Sequence, residues 1–452
     1  MRQEGSGQAT LPANGTEPTQ TAPAQAEPIS ALPPRAEPPP ARPTRAEPPP
    51  ARPTRAEPPP ARPTRAEPPP ARPTPGEPPP ARPTPGEPPA ARWAADAPPP
   101  RAVPQAAPRA VPADKRDAFF DNAKYLAILL VAVGHAWEPL REGSRTVTAF
   151  YTLVYAFHMP AFIVVSGHFT RGFDGGPRRV KRLLTGVAVP YVVFEVAYTL
   201  FTRWTDDAPE RDISLLDPLY LTWFLAALFI WRLTAPVWRL VRWPLPLALA
   251  VAMLATLSSA IGTDLALQRV LQFLPYFVLG LLLEPEHFRL VRRRAVRVAA
   301  VPVLAAALAV AYWAAPRGVY PWFFHDDSAV RLGAPAWYGP LMTLATFGCS
   351  VLLVACFLAW VPGRRTWFTA LGAATLYGYL LHGFVKQAAG PAHLYDHPWI
   401  HRPLGALAVT LVAALTVTLL CTSPVRRVFR WVVEPRAEWA FRRSGEGGRA
   451  AA

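Results

Sequence analysis

"DNAKYLAILLVAVGHAWEPL", residues 121–140, is an apolar segment with an ionisable side chain at each end. Between Tyr125 and Val133 it is almost purely aliphatic, and Lys124 and His135 flank that run. Crossing the hydrocarbon core of a bilayer takes about 20 predominantly apolar residues. Ionisable side chains inside a bilayer are costly and usually functional. The segment therefore predicts a membrane helix that carries functional polar residues.

Nine more apolar segments follow this one, so the sequence predicts an all-α polytopic membrane protein with about ten transmembrane helices. Runs such as "LALAVAMLATL" have no polar face, and such a face would be needed on the surface of a soluble helical protein. The predicted helices span residues 118–137, 149–170, 181–201, 218–238, 244–262, 268–283, 298–315, 339–361, 366–388 and 403–422.

The loops between these segments alternate in charge, which predicts the topology. Basic loops lie on the cytoplasmic side of membrane proteins, so an even number of helices with both termini cytoplasmic fits the pattern. We expect a multi-pass protein of the cell membrane. This topology accounts for much of the formal net charge of +16, and no nucleic acid partner is needed to explain it. The basic segments are 171–182, 239–243, 289–297, 363–365 and the chain from Arg426; the acidic or mixed ones are 206–212, Asp264 and 324–331.

Residues 1–113 form a proline-rich segment in which "RAEPPPARPT" repeats every ten residues from Arg35. Proline at this density removes amide donors and prevents helix or sheet, so we expect a disordered tail. Its "PPPARP" units resemble ligands of Pro-recognising modules, although a solvated spacer is the favoured interpretation. Residues 114–430 are then the membrane domain, and residues 431–452 a short basic cytoplasmic tail.

Lys124 and His135 are eleven positions apart, which is three helical turns to within about 20°. Both side chains should therefore lie on one face, about 16 Å apart along the axis. Asp121 is three residues before Lys124 and is placed to pair with it. Alternatives exist for each residue alone, because Lys124 can snorkel to the headgroups and His135 can be an interfacial histidine.

Further polar side chains lie in other predicted helices: His158 and Ser166 in the second, Trp223 in the fourth, and Tyr379 and His382 in the ninth. Singly, each has an ordinary explanation as a belt aromatic, a close helix contact or a satisfied core histidine. Together with Lys124 and His135 they favour a polar cavity inside the membrane domain. No metal-ligand pattern, Gly-rich phosphate loop or nucleophile elbow is present in the sequence.

Four motifs carry a family resemblance: "DNAKYLAILLVAVGH" (121–135), "FHMPAFIVVSG" (157–167), "TWFLAALF" (222–229) and "LYGYLLH" (376–382). Their order is similar to that in the integral-membrane acyltransferase 3 family, and the chain most resembles its fucose 4-O-acetylase-like members. The family pattern of a basic residue, ten residues and a histidine matches Lys124 and His135. The resemblance covers residues 116–430, without the tail and without the hydrolase-like domain fused to some relatives.

The resemblance implies transfer of an acyl group, usually acetyl from acetyl-CoA as co-substrate, to a hydroxyl of a carbohydrate or glycosylated small molecule. No permanently bound cofactor is implied. Histidine titrates in the range suited to a general base, so His135 is the expected base. Lys124, with Asp121, is expected to bind the donor phosphates or set the field of the cavity.

Other residues are expected to assist these two. Trp223 N–H or Tyr379 O–H is suited to stabilise an oxyanion, while His158, Ser166 and His382 would line the cavity. Basic loops are expected to attract the phosphates of CoA, namely residues 292–297 and the run with Arg179, Lys181 and Arg182.

Two alternatives come from other functional classes. A transporter of a sugar, lipid or proton-coupled solute would also use intramembrane His and Lys, but no convincing repeat relates one set of predicted helices to another. A membrane sensor or anchor would need no polar cavity.

Overall fold

Helices account for all the regular structure in the described part of the chain, residues 117–205 and 210–435 of a computed structural model. The predicted tail, residues 1–113, and most of the predicted segment 431–452 lie outside the described residues. The helices are α1 Ala118–Trp137, α2 Arg145–Thr170, α3 Pro177–Leu183, α4 Val189–Thr205, α5 Trp223–Leu240, α6 Pro244–Leu257, α7 Leu267–Leu282, α8 Pro285–Val291, α9 Arg294–Ala314, α10 Tyr338–Trp360, α11 Thr375–Ala388, α12 Pro403–Leu420 and α13 Ser423–Val433.

Each of the ten predicted segments overlaps at least one of these helices, and the all-α polytopic membrane fold is confirmed. A π-helical turn, residues Leu184–Ala188, joins α3 to α4 into one apolar helix. In the described residues, six helices are long and apolar enough to cross a membrane by length and composition: Arg145–Thr170, Pro177–Thr205, Asp264–Leu282, Arg294–Arg317, Tyr338–Trp360 and Pro403–Leu420.

The fourth and ninth predicted helices, which are α5 and α11 in the structure, begin later than the sequence predicts. Contacts between residues distant in sequence explain both shifts. The fourth begins at Trp223 instead of residue 218, because Tyr220 adopts a φ of 57° and the Glu195 carboxylate accepts the N–H of Leu219. The ninth begins at Thr375 instead of residue 366. There Gly372, in a 3₁₀ turn, lies so close to the backbone of Asp121 that a Cβ would collide with it.

Two glycines let α2 and α7 cross closely at the centre of the protein. A Cβ at Gly167 would collide with the carbonyl of Phe277 and lie 3.0 Å from Cα of Gly280. A Cβ at Gly280 would likewise meet the carbonyl of Val164. Small residues bring membrane helices into such contact because dispersion forces replace the hydrophobic effect there. Gly167 is therefore a helix-packing residue.

Burial separates central helices from peripheral ones. In α2, 72% of the apolar window is buried, whereas only 11% is buried in α12. Since apolar residues exposed in a membrane protein face lipid, α12 lies at the periphery and α2 in the core. Helix α13 follows α12 and runs through Val433, so the predicted domain boundary after residue 430 falls inside this helix.

Candidate active site

Lys124 and His135 both lie on α1, yet they line two different cavities. The His135 cavity has a volume of about 310 Å³ and the Lys124 cavity about 330 Å³. Among the described residues, Tyr379 on α11 is the one that lines both. The His135 cavity is lined by Val131, His135, Glu138, Tyr151, Tyr155, His158, Met159, Tyr220, Leu221, Trp223, Arg269, Phe273, Phe323, Phe324, Asp326 and Tyr379. The Lys124 cavity is lined by Lys124, Phe162, Val165, Ser166, Phe169, Gly186, Val187, Phe224, Leu225, Leu228, Arg232, Thr375, Leu376 and Tyr379.

Aromatic rings surround the imidazole of His135. The Tyr155 hydroxyl lies 3.4 Å from its Nδ1. The ring centroid of Tyr220 is 5.3 Å from that of His135, and the centroid of His382 is 5.8 Å away. His135 is thus held among rings, with one hydroxyl close to one of its two nitrogens.

His158 and His382 each have one nitrogen fixed by the helix backbone. Nδ1 of His158 lies 2.8 Å from the carbonyl oxygen of Val154, and Nδ1 of His382 lies 2.8 Å from that of Gly378. A carbonyl only accepts, so Nδ1 carries the proton in each and Nε2 is the basic nitrogen of the neutral ring. His158 lines the His135 cavity. His382 instead lines a separate apolar pocket, and its buried Nε2 has no hydrogen-bond partner among residues 117–205 and 210–435.

Two ion pairs border the His135 cavity. Arg269 lies 2.7 Å from Asp326 and its guanidinium is 5.2 Å from the Trp223 ring centroid. Glu138 lies 3.2 Å from Lys386 on α11. Burial raises the pKa of Asp326, and the nearby Arg269 opposes that shift. The cavity therefore combines aromatic faces with paired charges, which suits a ligand that is polar and largely uncharged.

In the Lys124 cavity the predicted ion pair is present. Lys124 Nζ lies 2.7 Å from Asp121 Oδ1, so the lysine charge is balanced by a carboxylate. Ser166 lines the same cavity from α2, on the side away from His135. Arg232 lines it from α5 and is the second cation there.

Tyr379 and Trp223, the two expected oxyanion donors, have different surroundings. The Tyr379 hydroxyl donates to the carbonyl of Leu221, so its single hydrogen is already used. Its ring stands edge-on to Phe224, 5.7 Å between centroids. Trp223 lines the His135 cavity and stacks on Phe273 at 5.5 Å.

The basic residues expected to attract the donor phosphates line neither of these two cavities. Arg179 pairs with Asp174 at 3.3 Å, and Arg182 donates from Nε to the carbonyl of Arg178. Together with Lys181 they belong to α3, and none of the three lines either cavity. Arg292, Arg294 and Arg297, from the second basic run, line a separate groove beside Trp360.

Several residues of the two cavities were not predicted: Glu138, Tyr155, Arg232, Arg269 and Asp326. For Arg232 a signal was present, since it is a charged side chain inside the apolar run "FLAALFIWRLTAPVW", residues 224–238. Asp326 belongs to a loop whose acidic character was attributed to topology alone. Tyr155 has no local signal, because only the packing of α2 against α1 brings it to His135.

A family model described as an acyltransferase domain, Acyl_transf_3, matches residues 117–422, which is more than half of the chain and extends from α1 to α12. No curated protein and no solved structure matches the chain significantly.

Proposed function

Because the chain belongs to the acyltransferase 3 family, we propose that it is a membrane-bound O-acyltransferase. It moves an acyl group, acetyl in the usual reaction of the family, from acyl-CoA to a hydroxyl of a sugar, glycan or glycosylated small molecule. The observation that carries this proposal is the arrangement of α1, with His135 in one cavity and Lys124 in another. The family match does not favour the transporter alternative.

The spacing of Lys124 and His135 along α1 suits the length of the donor. Lys124 and His135 are eleven residues apart on α1, which is about 16 Å along the helix. The pantetheine arm of CoA has as many bonds between phosphate and sulfur as four extended peptide residues, or about 14 Å. A donor with its phosphates in the Lys124 cavity therefore presents its thioester near His135 when the Tyr379 ring swings aside.

His135 supplies the base in this proposal. Its Nε2 takes the proton from the acceptor hydroxyl as that oxygen attacks the thioester carbonyl. The new C–O bond forms, the C–S bond breaks, and the imidazolium returns the proton to the departing thiolate of CoA. The proposal assigns the ring proton to Nδ1, which faces the Tyr155 hydroxyl at 3.4 Å, and this leaves Nε2 free to act as the base.

The acceptor is a hydroxyl-rich molecule that enters the His135 cavity. Tyr155, Trp223 and Phe324 offer aromatic faces there, and the Arg269–Asp326 pair offers hydrogen-bonding groups. With both termini in the cytoplasm, the His135 end of α1 lies toward the outer face of the cell membrane. The site is then placed to modify surface carbohydrates or exported metabolites.

Isotope-labelled acetyl-CoA added to membranes that contain the protein tests this proposal. We expect mass spectrometry to show the label as an acetyl increment on a surface glycan or small molecule, and expect none with His135→Ala at equal abundance. Identical acetylation profiles with and without the protein would contradict acyl transfer. Export of an unmodified solute would indicate the transporter instead.

A further inference from the structure

We propose that Arg232 holds a phosphate of the acyl donor in the Lys124 cavity. This inference rests on the proposed function, and it assigns the anion-binding group to a residue outside the motifs that define the family resemblance.

Arg232 is a cation within an apolar helix and has no partner in the described part of the chain. It lies in the middle of α5, nine residues after Trp223, and lines the Lys124 cavity. Its Nε is buried without a hydrogen bond. No carboxylate among the described residues forms an ion pair with it. An unpaired ionisable side chain at membrane depth is costly, so a ligand that supplies the counter-charge binds favourably.

The charge balance of the cavity separates Arg232 from Lys124. Lys124 is 2.7 Å from Asp121, so that pair has no net charge. Arg232 therefore carries the net positive charge of the cavity. The planar guanidinium fork matches two phosphate oxygens at once, which a lysine ammonium does not. The ligand group that fits this position is a phosphate.

A phosphate in this cavity has two possible sources, the acyl donor and a lipid headgroup. Geometry favours the donor. Nine residues of α5 separate Arg232 from Trp223, which is about 14 Å along the helix. Trp223 lines the His135 cavity. A phosphate on Arg232 is therefore about one pantetheine arm away from Trp223 along α5, a spacing slightly shorter than the one between Lys124 and His135 on α1.

Binding measurements with two probes that differ in their phosphates test the assignment. The full-length protein in phosphatidylcholine nanodiscs is titrated with CoA and with pantetheine in a calorimeter. We expect the wild-type protein to bind CoA at least about tenfold more tightly than pantetheine. Arg232→Gln should weaken CoA binding about 10- to 100-fold and leave pantetheine binding unchanged. Arg232→Lys keeps the charge and should recover part of the loss.

Arg242→Gln is the matched control. Arg242 is exposed beyond the end of α5 and lines neither cavity, so this change removes one positive charge close to the same helix without altering either cavity. It should bind CoA as the wild-type protein does. Unchanged pantetheine affinity and an unchanged unfolding temperature in Arg232→Gln show that the variant is folded.

Three results would overturn the inference. If Arg232→Gln and the wild-type protein bind CoA with equal affinity, Arg232 does not bind the donor. The proposal of acyl transfer is unaffected by that result. Loss of CoA binding by the wild-type protein in nanodiscs containing phosphatidylglycerol, with no such loss in Arg232→Gln, would identify a lipid phosphate as the anion. If neither the wild-type protein nor any variant bound CoA, the proposal that acyl-CoA is the donor would be contradicted as well.

Discussion

Both carboxylate oxygens of Glu195 on α4 lie 3.0 Å from the backbone nitrogen of Leu219. Glu195 also accepts a hydrogen bond from the hydroxyl of Thr222. These bonds fix the turn that precedes α5, and with it Tyr220 and Leu221 of the His135 cavity. Glu195 touches neither cavity itself, so it is a positioning residue for the site.

Glu195→Ala should lower the free energy of unfolding by about 1–3 kcal/mol, because it leaves the N–H of Leu219 without its acceptor and removes one of the two acceptors of the Thr222 hydroxyl. Glu195→Gln keeps one acceptor oxygen and should lose less. Thermal unfolding in detergent micelles measures both. Glu286→Ala on α8 serves as the control, since Glu286 is exposed and, in the described part of the chain, forms an ion pair with Arg289 alone. Equal unfolding temperatures for Glu195→Ala and wild type would show that the turn does not depend on this carboxylate.

Replacing Lys124 separates its ion pair from its action on the donor. Lys124→Met leaves the Asp121 carboxylate without its ion-pair partner. It should lower the free energy of unfolding by roughly 1–3 kcal/mol and abolish acyl transfer. Lys124→Arg keeps the charge and should stay active. The double variant Lys124→Met/Asp121→Asn removes both charges and should regain membrane abundance without regaining activity. If activity returned with abundance, Lys124 would be a structural residue only. Immunoblotting and labelled-acetyl transfer provide the two measurements.

The three intramembrane histidines should differ in their effects on turnover. His135→Ala should lower kcat by about 100-fold or more, as expected for loss of a general base. His158→Ala and His382→Ala should each lower it by about tenfold or less. Acyl-transfer rates at saturating donor, normalised to protein abundance, compare the three. A larger loss for His158→Ala than for His135→Ala would move the base to Nε2 of His158, which also lines the His135 cavity.

Gly280→Ala should destabilise the crossing of α2 and α7, because its methyl group collides with the carbonyl of Val164 and with Cα of Gly167. We expect the free energy of unfolding to fall by about 1–3 kcal/mol, which is typical of overpacking. Gly348→Ala on α10 is the matched control, since no atom lies within 4 Å of its added Cβ. That variant should be neutral or slightly more stable, because alanine favours helix over glycine. Detergent-solubilised protein scanned by differential fluorimetry would show the difference; similar midpoints would contradict the close crossing.

Reporter fusions test the topology with both termini in the cytoplasm. Fusions after Asp212 and after Ser328 should report the outer side, and fusions after Lys181 and after Arg294 the cytoplasm. The basic loops predict this pattern. A reversed signal at any one of the four positions would break the alternation and change the number of membrane crossings.

Hydropathy and helical periodicity predicted much of this fold, because in a bilayer each helix satisfies its own backbone and signals its presence locally. They placed Lys124 and His135 on one helix, and they placed Asp121 beside Lys124. They did not predict the start of α5, which depends on a carboxylate on another helix. Nor did they predict two cavities, because the residue between them, Tyr379, comes more than 240 positions after His135 in the sequence.

The position of Tyr379 also affects whether protons can pass through the protein from one side of the bilayer to the other. An elementary charge crossing a membrane releases about 2.3 kcal/mol for each 100 mV of potential. A single water-filled channel from Lys124 to His135 would let protons run down that gradient. With the Tyr379 hydroxyl bonded to the carbonyl of Leu221, the ring lies between the two cavities and interrupts such a channel. The protein can thus hold polar groups at two levels of α1 without a continuous water-filled path between them.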